Sequence, residues 1–445
     1  MGKDAAAPAA AARTRVRLPD VRAFLRWLKP LDGGPNEIRA VDGLRALAAL
    51  GVVIYHAIQL DPRAFKINLA QWWWYPYAGQ TGVDLFFVLS GFLLFLPFAR
   101  ALLDSRPLPD TRRFFTRRAQ RILPAYIACM AIMVAVQWSQ YGNATGALDV
   151  GAHLLFIHDM IPPFNNAING VFWTLALEGQ FYLMLPVLAA VFAKAMRSSR
   201  SPRRLFALLL AFIAATLVLR EAGAALAGLL PALQGKRQMG VEVLTMLLVG
   251  VQGKYFELFG LGMVCSLVYI LLRERRMWPA RATVALGSVL FALSLIALFI
   301  ICQLFGLSVL HPVTGYTSLR GDDVVDVLTP LLLGLAYAAL LLGVLLGGRI
   351  IRAPFELGSL CFLGIISYSI YLWHAPAIWA MLPFTASLHM WQRVVVGLIL
   401  AYLSYTLVEK PFLRRRQSQR AQATRVPTAV ELEFDGSIAR TASVR

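Results

Sequence analysis

Long apolar runs, separated by short polar segments, recur along most of this chain. Ten of the runs approach the roughly 20 residues that a helix needs to cross the hydrocarbon core of a bilayer. They lie at 41–60, 82–99, 122–140, 173–193, 205–226, 254–272, 282–302, 327–346, 358–382 and 391–409. The pattern predicts an all-α fold, a polytopic membrane protein of about ten transmembrane helices.

Composition supports the same class. The 445 residues are 58% hydrophobic and 15% charged, with a mean hydropathy of +0.63, which excludes a soluble globular protein. Residues 1–40 are rich in Ala and Pro and then basic, without the apolar segment of a cleavable signal peptide. We therefore predict a partly disordered basic segment at 1–40 with a stretch suited to an anionic lipid surface, a membrane core at 41–412, and a basic disordered tail at 413–445.

The formal net charge of +19 is distributed unevenly. If the N-terminus is cytoplasmic, 35 of the 43 Lys and Arg residues fall in segments on the cytoplasmic side. Such asymmetry predicts that both termini are cytoplasmic and that the protein resides in the cytoplasmic membrane, among lipids, rather than on nucleic acid. The four cysteines lie in or beside predicted spans without metal-ligand spacing, so neither a disulfide nor a metal site is predicted.

Two ionisable side chains share one face of the first predicted span. Arg45 and His56 are eleven residues apart in AVDGLRALAALGVVIYHAIQL, which on a helix is about three turns plus 20° and about 16 Å along the axis. A cation and an imidazole inside a bilayer are costly unless they have a role. The spacing therefore favours an elongated anionic substrate that binds at Arg45 and reacts at His56.

Two further ionisable residues are predicted at the depth of His56. Glu178 lies near the start of the fourth span and His374 near the end of the ninth, so the three side chains are expected to meet in one layer. The alternative for each residue is a structural hydrogen bond between helices. For His374, a functional role and a structural hydrogen bond are equally favoured, whereas a functional role is favoured for His56 and Glu178.

A basic cluster is predicted at the other end of the spans. Arg118 and Arg121 are i,i+3 neighbours at the start of the third span, and their guanidinium groups, with that of Arg45, are suited to phosphate oxygens. Topology determination and lipid headgroup contacts are the alternative explanation. Ser90, in the second span, is expected chiefly to permit close helix packing, and the aromatic segment 72–77 to form an interfacial belt.

Six short segments occur in a particular order: Arg45 with His56, FFVLSGF at 86–92, Arg118 with Arg121, FWTLALEGQFYL at 172–183, SYSIYLWHAP at 367–376 and VEKPF at 408–412. Together they resemble the acyltransferase 3 family of integral-membrane acyltransferases, which modify bacterial surface glycans, antibiotics and lipids. The resemblance covers roughly residues 38–412. The family often has two acidic residues where this chain has Glu178 and Gly179, so one carboxylate is assigned. The chain resembles the stand-alone type, without a fused esterase-like domain.

The resemblance implies an O-acyltransferase that moves an acyl group, expected to be acetyl, from cytoplasmic acyl-CoA to a hydroxyl of a cell-envelope glycan, glycolipid or small molecule. Arg45, Arg118 and Arg121 would hold the donor phosphates while the pantetheine arm extends toward His56. His56 would act as general base, with its imidazole oriented by Glu178. The predicted substrate contacts are Ser90, Trp173, Tyr182 and His374.

Three alternatives stay open at this point. The acyl group can pass through a transient acyl-histidine, or water can replace the acceptor in a hydrolase. A non-enzymatic polytopic transporter can use intramembrane His and Glu as a proton relay, although no repeated halves or paired broken helices are evident. The motifs leave the acceptor, the acyl chain length and the oligomeric state open.

Overall fold

The computed structural model describes residues 38–61, 78–165, 167–232, 235–250, 254–310 and 324–414. The predictions for the N-terminal segment before residue 38, for the aromatic segment 72–77 and for the tail from residue 415 lie outside these ranges.

Thirteen α-helices organise the described ranges, which contain no β-strand. The helices are α1 (Arg39–Leu60), α2 (Gly82–Leu103), α3 (Thr111–Val136), α4 (Ala144–Leu154), α5 (Trp173–Ala195), α6 (Pro202–Leu229), α7 (Gly235–Leu248), α8 (Phe256–Tyr269), α9 (Ala280–Leu310), α10 (Val324–Leu346), α11 (Gly358–Ile365), α12 (Ser367–Ile378) and α13 (Met390–Ser404). Single π-helical turns extend α8 and α13, at Ile270–Glu274 and Tyr405–Glu409. Shorter one-turn helices lie between some of these elements.

The prediction of an all-α polytopic membrane protein is confirmed. Within the described residues, nine helices are long and apolar enough to cross a bilayer, and the pair formed by α11 and α12 raises the number to ten. This pair differs from the single span predicted at 358–382, because the two helices meet at Ile366 with a bend of 69°. The segment between the spans predicted at 205–226 and 254–272 contains a further helix, α7, whose charged residues interrupt its apolar ones and keep it from forming a long apolar run.

The third span also begins earlier than the predicted residue 122. Helix α3 starts at Thr111, where the Asp110 side chain accepts a hydrogen bond from the backbone N–H of Arg113 at 2.7 Å and caps the helix. Arginine is a good helix former, so the basic segment continues the helix instead of forming a loop. Arg118 and Arg121 consequently lie well inside α3 rather than at its first turn.

Close backbone contacts hold α2 at the centre of the bundle. A Cβ atom at Gly91 of α2 would lie 2.1 Å from the carbonyl oxygen of Phe259 on α8, and one at Gly262 would lie 2.0 Å from that of Val88. On the other side of the bundle, a Cβ at Gly364 of α11 would lie 1.9 Å from a backbone oxygen of α1. Glycine at these positions lets helices approach more closely than any side chain would allow.

Buried polar residues fix the segment between α3 and α5. The rings of His153 and His158 stack with centroids 3.8 Å apart, and Asp149 lies 2.9 Å from Nδ1 of His153. Asp159 pairs with Lys254 at 2.9 Å between its Oδ2 and Nζ. All five side chains are buried. Because this segment is packed against the start of α5, that helix begins inside the protein rather than at the end of the bundle.

We expect this segment to loosen below neutral pH. Burial and the neighbouring His153 lower the pKa of His158 from 6.5 to about 3. The unfolded segment therefore takes up a proton below pH 6.5 that the folded segment does not bind, and the free energy of local unfolding falls as the pH falls from 6.5 toward 3. At pH 5 the loss is about 2 kcal/mol. Hydrogen exchange of residues 144–164, corrected for the intrinsic rate, measures this change between pH 7.5 and 5.

His158→Gln should abolish most of the pH dependence, because glutamine does not titrate. His389→Asn is the matched control, since His389 is exposed at the N-terminal end of α13. The assignment of the pH dependence to His158 would be contradicted if the hydrogen-exchange protection of residues 144–164 did not change with pH in the wild type. It would also be contradicted if the protection changed with pH equally in the His158 variant.

Candidate functional site

A cavity lies among α1, α2, α5 and α12. Its walls combine apolar and aromatic side chains with one cation, one carboxylate and several hydroxyl groups. The lining residues are Arg45, Val83, Phe86, Phe87, Thr174, Leu175, Glu178, Ser367, Tyr368 and Tyr371. We call the end of the bundle where α1 and α3 begin the arginine end, and the end where α1 and α12 finish the histidine end.

Glu178 is held at the cavity wall by two hydrogen bonds. Ser90 Oγ on α2 donates to one carboxylate oxygen at 2.6 Å, and Tyr182 OH, one turn further along α5, donates to the other at 2.9 Å. The structure thus brings together three residues that the sequence predicted separately. The Ser90 hydroxyl does more than permit packing, because it links α2 to α5 through Glu178.

The three predicted arginines gather around this carboxylate. Arg45 lies within electrostatic reach of Arg121, Glu178 and Tyr182, and Arg118 within reach of the same three groups. Tyr368 ties α12 to this part of α3, because its OH donates to the carbonyl oxygen of Ile122 at 2.9 Å. The arginines therefore converge from α1 and α3 on one side of the cavity.

The guanidinium groups of these arginines have unused hydrogen-bonding capacity. Within the described part of the chain, no ion pair or hydrogen bond engages Arg45, Arg118 or Arg121, and the buried Nε of Arg118 has no partner. Three carboxylates, those of Asp42, Glu178 and Glu409, lie within electrostatic reach of one or more of these cations. Because the guanidinium groups keep unused donors, the cluster fits an anionic, oxygen-rich ligand.

Sequence reasoning missed Glu409. This residue is 1% exposed, lies on the π-helical turn after α13, and accepts a short hydrogen bond from Ser369 Oγ on α12. Its position within electrostatic reach of Arg45 and Arg121 makes it a second counter-charge of the arginine cluster. The sequence does contain a feature that indicates Glu409: a carboxylate at the end of an apolar span, in the segment VEKPF. No role was predicted for this carboxylate.

A pair of histidines lies toward the histidine end. The rings of His56 on α1 and His374 on α12 stack with centroids 5.3 Å apart, and Trp379 meets the His56 ring edge-on at 5.1 Å. His374 Nδ1 lies 2.8 Å from the carbonyl oxygen of Tyr371. Since a carbonyl oxygen only accepts, Nδ1 carries the proton and leaves a lone pair on Nε2. Nε2 of His374 is buried without a hydrogen-bond partner, and so is Nδ1 of His56.

Glu178 does not share the layer of the two histidines, so the prediction of a single layer is wrong for this residue. Thr174 on α5 donates a hydrogen bond to Tyr371 OH on α12 at 2.8 Å, which aligns the two helices. From that contact Glu178 lies about 6 Å toward the arginine end and His374 about 4.5 Å toward the histidine end. The predicted depth of Glu178 assumed that α5 begins at the edge of the membrane. The helix instead begins inside the protein, below the buried polar segment, so Glu178 lies deeper than expected.

Within the described residues, no hydrogen bond joins Glu178 to His56, and the two carboxylate oxygens accept from Ser90 and Tyr182 instead. Trp173, predicted as a substrate contact, packs against Tyr255 with ring centroids 6.5 Å apart and does not line the cavity. Within the described residues, no group of three or more His, Cys, Asp or Glu side chains could hold a metal ion.

Comparison with known sequences identifies the family. The profile of the acyltransferase 3 family, described as an acyltransferase domain, matches residues 38–408, which is most of the chain and includes every residue of the site except Glu409. The chain belongs to the acyltransferase 3 family. The resemblance drawn from the six short segments is confirmed, and the acyltransferase domain that the profile describes agrees with the prediction of an acyltransferase.

Curated relatives agree with the family. The chain is 28% identical over 412 residues to the putative peptidoglycan O-acetyltransferase YrhL of Bacillus subtilis, covering 87% of this chain and 56% of YrhL. It is 30% identical over 179 residues to the O-acetyltransferase OatA of Staphylococcus aureus, covering 38% of this chain and 27% of OatA. The chain thus spans about half the length of YrhL and less of OatA. No solved structure matches it significantly.

Proposed function

We propose that this protein is an integral-membrane O-acetyltransferase that moves an acetyl group from acyl-CoA to a hydroxyl of a cell-envelope glycan. One observation carries the proposal: a single continuous helix, α1, presents Arg45 to the cavity and His56 to the histidine pair. The names of YrhL and OatA support acetyl as the group and a glycan as the acceptor. Glycolipids and small molecules with hydroxyl groups are the other acceptor classes.

Acyl-CoA is the donor whose shape and charge match the site. Its phosphates would bind Arg45, Arg118 and Arg121, where guanidinium groups lack partners within the described residues. Its pantetheine arm would lie in the cavity between α1, α2 and α5 and extend toward the histidine end. The rise of about 16 Å from Arg45 to His56 is comparable to the length of that arm.

His56 is proposed as the general base of the transfer. The acceptor oxygen forms a bond to the thioester carbonyl carbon while His56 takes the hydroxyl proton. The carbon–sulfur bond then breaks, and the CoA thiolate leaves and is protonated in turn. A transient acyl-histidine at the same residue is the alternative route, in which the acceptor attacks the acylated imidazole.

Glu178 has a different role in this proposal from the one expected from the sequence. Its carboxylate is fixed by Ser90 and Tyr182 about 10 Å from the histidine layer, so it orients and balances the arginines instead of the imidazole. His374 takes the place beside His56. With its own Nδ1 bound to a backbone carbonyl, it packs against the base and keeps the ring of His56 in place.

The arginine end is proposed to face the cytoplasm. The basic ends of α1, α3 and α6 support this orientation by the positive-inside rule, and both termini would then lie in the cytoplasm and the protein in the inner membrane. Donor and acceptor would then approach from opposite sides of the bilayer, with the acetyl group crossing along α1.

His56→Ala should abolish acetyl transfer without loss of folded protein, because a general base contributes about 10²- to 10⁴-fold to the rate. The measurement is the release of CoA and of labelled product from radiolabelled acetyl-CoA by purified protein. His389→Asn, at an exposed histidine of the same end, is the matched control and should keep full activity. Near-wild-type turnover of the His56 variant would falsify this mechanism, and an intact thioester with wild-type protein and acceptor would remove the enzyme assignment.

Arg45→Ala should weaken acyl-CoA binding, because its proposed role is to anchor a charged group far from the chemistry. Arg45→Lys should recover only part of the affinity, since an ammonium keeps the charge and loses the planar fork. Calorimetry with CoA measures both. Arg203→Ala is the control, as Arg203 is exposed on α6 at the same end. Equal affinity for CoA in the wild type and all three variants would indicate that Arg45 helps to determine membrane topology and does not bind the donor.

Sealed vesicles test the two-sided arrangement. Vesicles with the cytoplasmic face outward should consume added acetyl-CoA without permeabilisation, whereas right-side-out vesicles should need the donor inside. The expectation follows from the proposed position of the donor phosphates at Arg45, Arg118 and Arg121, at the arginine end. Efficient use of external acetyl-CoA by sealed right-side-out vesicles would overturn the placement of the donor site.

A further inference from the structure

We infer that Tyr371, held by Thr174, determines whether a hydroxyl acceptor or water receives the acetyl group. The two residues form a barrier between the donor cavity and the histidine pair. This inference rests on the proposed function, and it adds a specificity-determining residue to which the sequence assigned no role.

Tyr371 occupies the boundary between the two parts of the site. It lines the cavity, and its ring centroid lies 5.5 Å from that of His374. His56 and His374 do not line the cavity, so they lie beyond Tyr371 as seen from the arginine end. The most direct path from the cavity along α12 to the histidine pair therefore passes this ring.

Three contacts keep the Tyr371 ring across this path. Thr174 Oγ1 donates to its hydroxyl at 2.8 Å, and the hydroxyl donates to the carbonyl oxygen of Val171 at 3.2 Å. Phe86 on α2 meets the ring edge-on with centroids 6.1 Å apart. Thr174 and Tyr371 are 5% and 7% exposed. A buried ring fixed from α5 and α2 closes the histidine end of the cavity.

The barrier matters because a thioester is open to attack by water. In hydrolysis, the water oxygen bonds to the carbonyl carbon, the carbon–sulfur bond breaks, and acetic acid and the CoA thiol form, with one water proton going to the thiolate. This reaction needs no acceptor and competes with transfer. Excluding water from the cavity until the acceptor is in place favours transfer over hydrolysis.

Thr174→Val removes the hydrogen bond between Thr174 and Tyr371, and Tyr371→Phe removes that bond together with the one to Val171, each with little change in shape. In nanodiscs without any acceptor, each should raise acetyl-CoA hydrolysis about fivefold to tenfold, the change in open population expected when one buried hydrogen bond is lost. Acetate formed in ¹⁸O-labelled water should carry the label. The double variant should hydrolyse no faster than Tyr371→Phe alone, because that change already removes the hydrogen bond to Thr174.

A second buried threonine–tyrosine pair supplies matched controls. Thr81 Oγ1 and Tyr337 OH share a hydrogen bond between the start of α2 and α10, and neither residue lines the cavity. Thr81→Val and Tyr337→Phe should leave hydrolysis unchanged.

Two outcomes separate the inference from the proposed function. Wild-type protein that fails to bind acetyl-CoA would defeat the proposed function. Protein that binds acetyl-CoA but hydrolyses it equally in wild type, barrier variants and controls would overturn the barrier alone. Additive effects in the double variant, or equal acceleration in the Thr81 and Tyr337 controls, would show general loosening and would also overturn it.

Discussion

The balance of charge around Glu178 is the constraint on which the site depends. Three guanidinium groups inside a membrane-spanning bundle are unfavourable unless nearby groups compensate them. Glu178 supplies one compensating charge, and hydrogen bonds from Ser90 and Tyr182 prevent it from turning away. Glu409 supplies another from the end of α13, and Asp42 lies near Arg45. Because the carboxylates compensate the charges while guanidinium donors stay unused, the folded protein tolerates the cluster and can still bind an anion.

The bend between α11 and α12 positions the other half of the site. A straight helix over 358–378 would carry its residues past the cavity, whereas the bend of 69° directs α12 along the cavity wall. The same short helix then supplies Tyr368 and Tyr371 to the cavity and His374 to the histidine pair. The close approach of Gly364 to α1 holds the bend against the helix that carries Arg45 and His56.

The sequence predicts the parts of this fold that depend on local chemistry. Hydrophobicity and length identify the spans, and the helical period places Arg45 and His56 on one face. The relative heights of helices are different, because they depend on contacts between distant segments. Glu178 illustrates this: its depth depends on a buried polar segment that no apolar pattern reveals. The bend at Ile366 and the role of Glu409 likewise arise from packing against α1 and the arginines.

Helix α1 gives the site a fixed length. A continuous α-helix sets both the distance between Arg45 and His56 and the angle between their side chains. Inserting or deleting one residue between them would turn His56 by about 100° and move it by about 1.5 Å. Both positions stay on one face only when the number of residues changes by a nearly whole number of turns. The helix therefore fixes the Arg45–His56 distance to match one length of donor arm. Small insertions or deletions in α1 cannot adapt the site gradually to a longer or shorter arm.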